Sequence, residues 1–221
     1  MRIRKVIEPA FALGLKDERA AVVDALRHPI AAPPLAELLT RDTKVCVDFT
    51  DITRPTPNER LIPWLLGELE GKVSRENVVL INALGTHRPN TIDELRRLLT
   101  PEVVENYRVI NHEAENPAAL VEVGRTRTGR PALISRHLVD ADVRIITGFI
   151  EPHFFAGFSG GPKGIMPGVA ELRTVMQNHS GVNLASPNAT FGVLEGNPIW
   201  EEMRDIALMA GSSFLLNVTL N

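Results

Sequence analysis

Residues 44–70 read KVCVDFTDITRPTPNERLIPWLLGELE, and this stretch decides the fold. Lys44–Phe49 is a short apolar run rich in β-branched residues, which is typical of a buried strand. Asn58–Glu70 carries leucine and isoleucine at helical spacing and is closed by Gly71, which predicts an amphipathic helix. Asp51–Pro57, the loop between them, combines charged residues with proline. A strand followed by a loop and a helix is the first half of a βαβ unit.

The same rhythm continues along the chain. Further strands are predicted at Asn77–Ala83, Asp142–Thr147 and Phe214–Leu220, and a weaker edge strand at Tyr107–Asn111. Because most of these runs are apolar almost throughout, we expect the strands to be covered on both faces, as in a parallel sheet. The sequence therefore predicts an α/β fold, with a mostly parallel doubly wound sheet flanked by helices.

Helix boundaries are indicated at three further places. Thr91-Ile-Asp-Glu94 has the capping-box pattern in front of an amphipathic run. Pro198 opens a helix that is predicted to continue through Met209 and to end before Gly211. Val169–His179 is predicted as a short helix with one buried stripe.

The composition excludes several classes of function. The chain has a formal net charge of −3 and lacks runs of lysine and arginine, so it has no electrostatic footprint for nucleic acid. Its apolar runs are far shorter than a membrane span, and its first residues lack the apolar core of a signal peptide. The lone cysteine, Cys46, is interpreted as a buried strand thiol in a reducing compartment. We therefore expect a cytoplasmic protein.

The length of 221 residues suits one globular domain. We therefore predict that residues 1–221 form a single α/β domain. The chain stops at Asn221, directly after the apparent strand LLNVTLN and without a closing helix. We accordingly expect it to be part of a longer protein.

Unusual polar residues follow three of the predicted strands. DITRPTP (residues 51–57) follows the first strand, GTHRP (85–89) the second, and GFIEPH (148–153) the strand at 142–147. In an open parallel sheet, the loops beyond the carboxyl ends of the strands gather in one crevice, where ligands bind. Residues that are far apart in the sequence are therefore predicted to converge in one site.

The charged residues of these loops each allow two interpretations. Asp51 and Arg54 could form a plain turn salt bridge, or the Arg54 guanidinium could bind a carboxylate or phosphate while Asp51 orients it or accepts from a ligand hydroxyl. His87 and His153 could be ordinary turn residues, or general bases, because neutral imidazole is the best base at cellular pH. The apolar FFAGF beside His153 is expected to favour its neutral form. Glu151 could orient His153.

The segment GFSGGPKGIMPG (residues 157–168) resembles a phosphate cradle, because consecutive glycines let backbone N–H groups approach an anion. It is not a nucleoside-triphosphate P-loop. Pro162 stands where that motif needs glycine, and Gly164 stands where it needs a hydroxyl residue. Lys163 is then either a solvated loop lysine or an amine suited to a charge contact or to covalent attachment of a cofactor.

His179 lies at the end of the short helix predicted from Val169. There it could simply complement the helix dipole. Alternatively it could bind nickel, zinc or copper, for which imidazole is a common ligand. One histidine does not make a metal site, so further ligands would have to come from elsewhere.

Taken together, DITRPTP, GTHRP and PHFFAGFSGGPKGIMPG, followed by NH at the end of a helix, resemble the nickel-dependent lactate racemase family. The match runs from about Asp48 to His179 with order and spacing kept. The resemblance implies a two-domain enzyme in which residues 1–221 are the N-terminal catalytic and cofactor-binding domain. The C-terminal domain of the family, which includes a second lysine of the site, is absent from this chain.

The resemblance also implies a cofactor. This is the nickel-pincer nucleotide, a pyridinium-3,5-bisthiocarboxylic acid mononucleotide that holds nickel, attached at Lys163. His179 matches the protein ligand to nickel, and Asp51, Thr53 and Arg54 match the loop that contacts cofactor and substrate. The missing nickel ligands would then be cofactor carbon and sulfur atoms.

The implied reaction is racemisation or epimerisation of 2-hydroxyacids by proton-coupled hydride transfer to that cofactor. His87 and His153 match the paired acid/base residues that move the hydroxyl proton, and Arg54 would hold the substrate carboxylate. The implied partners are a small 2-hydroxyacid, the C-terminal domain and the cofactor-synthesis proteins, with neither nucleic acid nor membrane. Without the C-terminal domain, we expect this chain alone to show little or no racemase activity.

The residues by themselves leave two other functions open. One is a noncatalytic module that binds a nucleotide or another anion in the same crevice. The other is a metal-dependent hydrolase with its metal at His179. The identity of the hydroxyacid is also open, since lactate, malate, larger hydroxyacids and sugar acids fit the same framework.

Overall fold

The computed structural model describes residues 10–220; residues 1–9 and Asn221 of the predicted domain lie outside this part. The strands, in chain order, are β1 (Val45–Thr50), β2 (Val78–Ala83), β3 (Arg108–Asn111), β4 (Leu120–Arg125), β5 (Pro131–Ser135), β6 (Val143–Phe149), β7 (Pro152–His153), β8 (Gly157–Phe158) and β9 (Phe214–Val218). The α-helices are α1 (Glu18–Arg27), α2 (Asn58–Leu69), α3 (Ile92–Leu99), α4 (Pro101–Asn106), α5 (Arg136–Val139), α6 (Leu172–Asn178), α7 (Gly181–Leu184) and α8 (Pro198–Met209). Short 3-10 turns lie at Leu35–Leu38, Arg75–Asn77, Pro117–Ala119 and Gly161–Gly164.

Five of the strands form one sheet in the order β3-β2-β1-β6-β9, and all four pairings are parallel. Each of the five strands predicted from the sequence is a member of this sheet, and the weak strand near residue 108 is an edge. The predicted α/β fold with a parallel, doubly wound sheet is confirmed. Two small antiparallel pairs, β4-β5 and β7-β8, stand outside the sheet.

Residues of β1 alternate between two hydrophobic cores, because successive side chains of a strand point to opposite faces. Val45, Val47 and Phe49 pack with α1 to α4 on one face. Cys46 packs on the other face with β5, α5, α6 and α8. The prediction of a buried strand thiol is confirmed, and burial raises the pKa of Cys46, which makes the thiol unreactive.

Local signals set the helix starts. The capping box is present: the Thr91 hydroxyl accepts from the Glu94 N–H at 3.3 Å, and the Glu94 carboxylate accepts from the Thr91 N–H at 2.8 Å. α8 has the predicted bounds Pro198–Met209. The helix predicted from Val169 begins later, at Leu172, because Ala170 forms a β-bridge with Ile134.

Sheet order brings the three predicted loops together. β1 has β2 on one side and β6 on the other, so the loops that leave these strands lie side by side at the carboxyl edge. The sequence order of the strands reverses at β1, which is where open α/β sheets form their ligand crevice. Among residues 10–220, every helix is too short or too polar to span a lipid bilayer.

Candidate active site

A cavity of about 290 Å³ opens at the carboxyl edge of the sheet, between the loops that follow β1, β2 and β6. Six of the residues singled out from the sequence line it: Asp51, Arg54, His87, His153, Lys163 and His179. The seventh, Thr53, does not line the cavity and is exposed. The structure thus places residues from four separate parts of the sequence around one space.

The loop after β1 is built around the buried carboxylate of Asp51. Its Oδ1 accepts from the Thr53 hydroxyl at 2.7 Å and from the Thr53 N–H at 3.3 Å, and its carbonyl accepts from the Arg54 N–H. Within residues 10–220, no ion pair joins Asp51 to Arg54, so the turn salt bridge is not what holds the loop. Thr53 binds the Asp51 carboxylate through two hydrogen bonds, and Arg54 lines the cavity.

His87 is held by the same carboxylate. Its Nδ1 lies 2.7 Å from Oδ2 of Asp51. Because a carboxylate can only accept, Nδ1 carries the proton and Nε2 keeps a lone pair. The Asp51 side chain is 4% exposed and that of His87 is 44% exposed, so a buried anion orients a ring that reaches into the open part of the site.

His153 lies on the opposite side of β1, in the small β7-β8 hairpin. Its Nδ1 accepts from the backbone N–H of Ala156 at 3.2 Å, which places the ring proton on Nε2. Burial, followed by the positive charges of Lys163 and Arg54, lowers the pKa of His153 to about 4. The expected neutral form is therefore what the structure favours, whereas no hydrogen bond links Glu151 to His153 in the described residues.

The glycine-rich segment packs on the sheet instead of forming an open phosphate cradle. The N–H groups of Gly161, Lys163 and Gly168 donate to acceptors within the protein. A Cβ at Gly164 would lie 2.4 Å from Cγ2 of Ile146, and one at Gly168 would lie 1.9 Å from the carbonyl oxygen of Gly164. These glycines therefore serve close packing, which fixes the backbone that carries Lys163.

Lys163 extends from the 3-10 turn Gly161–Gly164 into the cavity. Burial, followed by the nearby charge of Arg54, lowers the pKa of Lys163 to about 8. Glu151 and Asp51 act in the opposite direction but more weakly. A large fraction of the amine is therefore neutral, and thus nucleophilic, near pH 8.

His179 caps the carboxyl end of α6, directly after Asn178. Its Nδ1 is buried and has no hydrogen-bond partner in the described residues. Burial, followed by the charge of Lys163, lowers the pKa of His179, which favours the neutral ring, and one of its nitrogens is unused within residues 10–220. Phe155 packs between the two histidines of this side, with ring centroids 4.6 Å from His153 and 5.1 Å from His179, both edge-on.

Three contributors to the site were not found from the sequence. Phe155 separates the two imidazoles, and its carbonyl accepts from the Asn197 side chain at 2.8 Å. Ser159 lines the cavity with a buried, unpartnered hydroxyl. Asp48 lies beneath Gly164, and burial raises its carboxyl pKa well above the ordinary value. The only sequence signal for these residues was their place in or next to the motifs.

In residues 10–220, no group of three or more His, Cys, Asp or Glu side chains lies close enough to hold a metal ion. A metal bound by His179 would therefore need ligands other than a cluster of these side chains. The described residues thus do not by themselves form the site of a conventional metallohydrolase, whose metal is held by several protein side chains.

Comparison with known proteins finds close relatives in sequence. Residues 1–192 match the family described as the lactate racemase N-terminal domain. Over 204 residues the chain is 36% identical to the lactate racemase of Thermoanaerobacterium thermosaccharolyticum and 35% identical to that of Lactiplantibacillus plantarum. Each alignment covers 92% of this chain and 48% of the relative. The chain thus spans about half the length of the curated relatives it matches.

Solved structures agree. The lactate racemase apoprotein from Thermoanaerobacterium thermosaccharolyticum superimposes with a TM-score of 0.88 at 36% identity, over 92% of this chain and 49% of that one. A crystal structure of a protein from Thermotoga maritima gives a TM-score of 0.78 at 26% identity, over 95% of this chain and 53% of that one. Both similarities extend over nearly the whole α/β domain described above.

Proposed function

The chain belongs to the lactate racemase family, and we propose that its cavity is the cofactor-binding part of a 2-hydroxyacid racemase site. One observation carries the proposal: two histidines, a lysine, an arginine and a third histidine converge on one small cavity at the switch point of the sheet. The relatives are about twice as long as this chain. We therefore propose the racemase activity for a complete enzyme that also contains a C-terminal domain.

We propose that Lys163 and His179 hold a nickel-pincer nucleotide. His179 offers a buried nitrogen without a partner, and Lys163 offers an amine whose pKa is about 8. This donor set fits a metal that brings most of its own ligands, and it supports no site built from protein side chains alone. When bound, the cofactor would supply the acceptor for the substrate hydride.

Arg54 would bind the substrate carboxylate. Its guanidinium lines the cavity and presents paired donors that match a carboxylate in geometry and charge. The Thr53–Asp51 hydrogen bonds hold the loop from which it extends.

His87 would act as the base for one enantiomer. With Nδ1 donating to Asp51, the Nε2 lone pair is available to accept the hydroxyl proton. The buried carboxylate would then stabilise the imidazolium that forms. The Asp51–His87 pair thus combines a base with the group that fixes its tautomer.

His153 would act on the other side of β1. In the tautomer fixed by its hydrogen bond from the Ala156 N–H, the His153 ring offers Nε2–H to a substrate oxygen. Serving as the base for the opposite enantiomer requires the lone pair on Nε2, so the proton must move to Nδ1 and the Ala156 bond must break. A site that interconverts two enantiomers needs a proton carrier on each side of the substrate.

The proposal is tested with the chain extended by the second half that its relatives contain, made together with the cofactor-synthesis enzymes. We expect intact-mass and nickel analysis to show a nickel-bearing adduct that peptide mapping assigns to Lys163, and chiral chromatography to show interconversion of hydroxyacid enantiomers. Lys163→Arg should abolish both, and Lys72→Arg, on an exposed lysine, should leave both intact.

Two results would overturn the proposal. A protein that stays unmodified under conditions in which a known family member becomes loaded would remove the cofactor assignment. A loaded protein that leaves every hydroxyacid unchanged would leave only a nucleotide-binding module. Turnover that survives loss of both His87 and His153 would remove these two residues as the proton carriers.

A further inference from the structure

We propose that the pocket, when it carries no cofactor, condenses Lys163 with a 2-oxo acid to form a reversible imine. The inference goes beyond the racemase reaction, in which the lysine serves only for attachment. It rests on the proposed function for the choice of a small 2-oxo acid as ligand, since that is the oxidised form of a 2-hydroxyacid.

The Lys163 amine is unpaired among the described residues and lies in the cavity. Lys163 lines the cavity, and within residues 10–220 its Nζ takes part in no hydrogen bond or ion pair. The neighbouring Gly164 packs closely against Ile146, which fixes the backbone beside the lysine, and the side chain itself lines the cavity. An unpaired lysine held in an apolar and cationic surrounding is the usual arrangement for imine formation.

Arg54 provides an anion-binding group in the same cavity. The Arg54 guanidinium also lacks a described ion-pair partner and lines the space that Lys163 enters. A 2-oxo acid whose carboxylate is bound by Arg54 would present its ketone carbon inside the cavity. Binding by Arg54 therefore raises the local concentration of carbonyl groups beside the amine.

The lowered pKa of Lys163 also favours the reaction. The pKa of Lys163 is about 8, against 10.5 for an ordinary lysine, so about half of the amine is neutral at pH 8 compared with roughly 0.3% of an exposed lysine. A neutral amine is required for attack on a ketone. Because the lowered pKa also reduces intrinsic nucleophilicity, we expect the advantage in labelling rate over an exposed lysine to be about tenfold.

The reaction balances without any oxidant or reductant. The nitrogen lone pair adds to the ketone carbon, the C=O bond becomes C–OH, and a proton moves from nitrogen to oxygen. The carbinolamine then loses this hydroxyl as water while the C=N bond forms. His87, whose Nε2 is free of Asp51, is available in the same cavity to carry the proton from nitrogen to the leaving hydroxyl.

The test uses the cofactor-free 221-residue chain, pyruvate as the probe and cyanoborohydride to trap the imine. Peptide mapping by mass spectrometry then compares the five lysines: Lys5, Lys16, Lys44, Lys72 and Lys163. We expect Lys163 to be labelled about ten times faster than Lys72 at pH 8. Labelling spread over the lysines, or an unlabelled Lys163 in folded protein, would overturn the inference.

Two matched comparisons separate a recognised ligand from a merely reactive amine. Acetone has the ketone but no carboxylate, so it should label Lys163 more slowly than pyruvate, and Arg54→Gln should abolish this preference. Equal rates for both ketones in the unaltered chain would contradict the role of Arg54. Lys72→Arg should leave labelling of Lys163 unchanged.

The outcome is distinguishable from that of the proposed function. A chain that forms the pyruvate imine but never acquires a nickel adduct would retain this inference and lose the racemase proposal. A chain that acquires the adduct at Lys163 but never reacts with pyruvate would do the reverse.

Discussion

The two sides of the cavity hold histidines in opposite surroundings. His87 is 44% exposed, and a buried carboxylate lies 2.7 Å from its Nδ1. His153 is half-buried, pairs with no carboxylate within residues 10–220, and accepts a hydrogen bond from a backbone N–H at Nδ1. The same side chain therefore shows a lone pair on Nε2 at one side and an N–H on Nε2 at the other. Two histidines thus present complementary groups at Nε2 because different partners bind their Nδ1 atoms.

The charges around the two rings sharpen this contrast. Asp51 is the partner of His87, whereas the positive charges of Lys163 and Arg54 face His153 and contribute to a pKa of about 4. An anion favours the imidazolium, and cations together with burial oppose it. The His153 ring therefore accepts a proton less readily than an ordinary histidine, until a bound anion or cofactor changes the charge balance around it.

The largest expected effect comes from removing either ring. In the loaded, extended protein, His87→Ala and His153→Ala should each lower the racemisation rate by about 10²–10⁴-fold, because each enantiomer loses its proton carrier in one direction. Turnover is followed by chiral chromatography starting from each enantiomer. His28→Ala is the matched control, since His28 is exposed and pairs with Asp24 in α1.

If one of the two variants kept full activity from both enantiomers, the second ring would be a bystander and the cavity would have a single base. A cofactor adduct of unchanged mass in both variants shows that loading is intact and that the loss lies in proton transfer.

A smaller effect is expected in stability against pH. The ordinary histidine pKa is 6.5 and that of His153 is about 4 in the folded chain. As the pH falls from 6.5 to 4, the unfolded state takes up a proton that the folded state does not, so the folded state loses stability. His153→Gln should remove about 1–2 kcal/mol of this loss, after allowance for solvent screening.

The measurement is urea unfolding of the chain at neutral and at acidic pH. His112, His137 and His179, whose pKa values burial also lowers, are present in both chains, so the difference between the chains reports on His153 and on its coupling to His179. His28→Gln serves as the control. Equal losses of stability in the His153→Gln variant and the unaltered chain would show that the folded environment does not disfavour the charged ring.

The smallest effect is expected from changing Phe155, whose ring lies between His153 and His179. Phe155→Leu should cost about 0.5–1.5 kcal/mol of unfolding free energy beyond the area lost, because two edge-on aromatic contacts disappear. It should also shift the NMR signals of His153 and His179. Phe154→Leu is the matched control, since Phe154 is 84% exposed. Unshifted histidine signals in the Phe155 variant would remove its positioning role.

Most of the sheet could be predicted from the sequence, because buried parallel strands leave near-continuous apolar runs. The predicted strand from residue 44 and the helix from Asn58 differ from the structure by a single residue at the ends concerned. Elements without such a pattern were missed. α1 has a weakly apolar sequence, and the short strands of the β4-β5 hairpin are interrupted by Gly124 and by a bulge between Glu122 and Gly124.

The residues of the site could be found from the sequence because they follow strands. Their hydrogen-bond partners and packing contacts could not. That Asp51 would bind His87 could not be read from a spacing of 36 residues, since it depends on β1 and β2 being neighbours. The glycines of residues 157–168 suggested an anion cradle, whereas close packing on Ile146 explains Gly164. A tertiary contact has no local signal in a single sequence.

One measurement tests the complementary histidines most directly. Long-range ¹H–¹⁵N spectra of the chain labelled at its six histidines report which ring nitrogen carries the proton. At neutral pH we expect His87 as the Nδ1–H form and His153 as the Nε2–H form, with Asp51→Asn abolishing the preference of His87 alone. The same tautomer at both rings, or a doubly protonated His153 at neutral pH, would contradict the account.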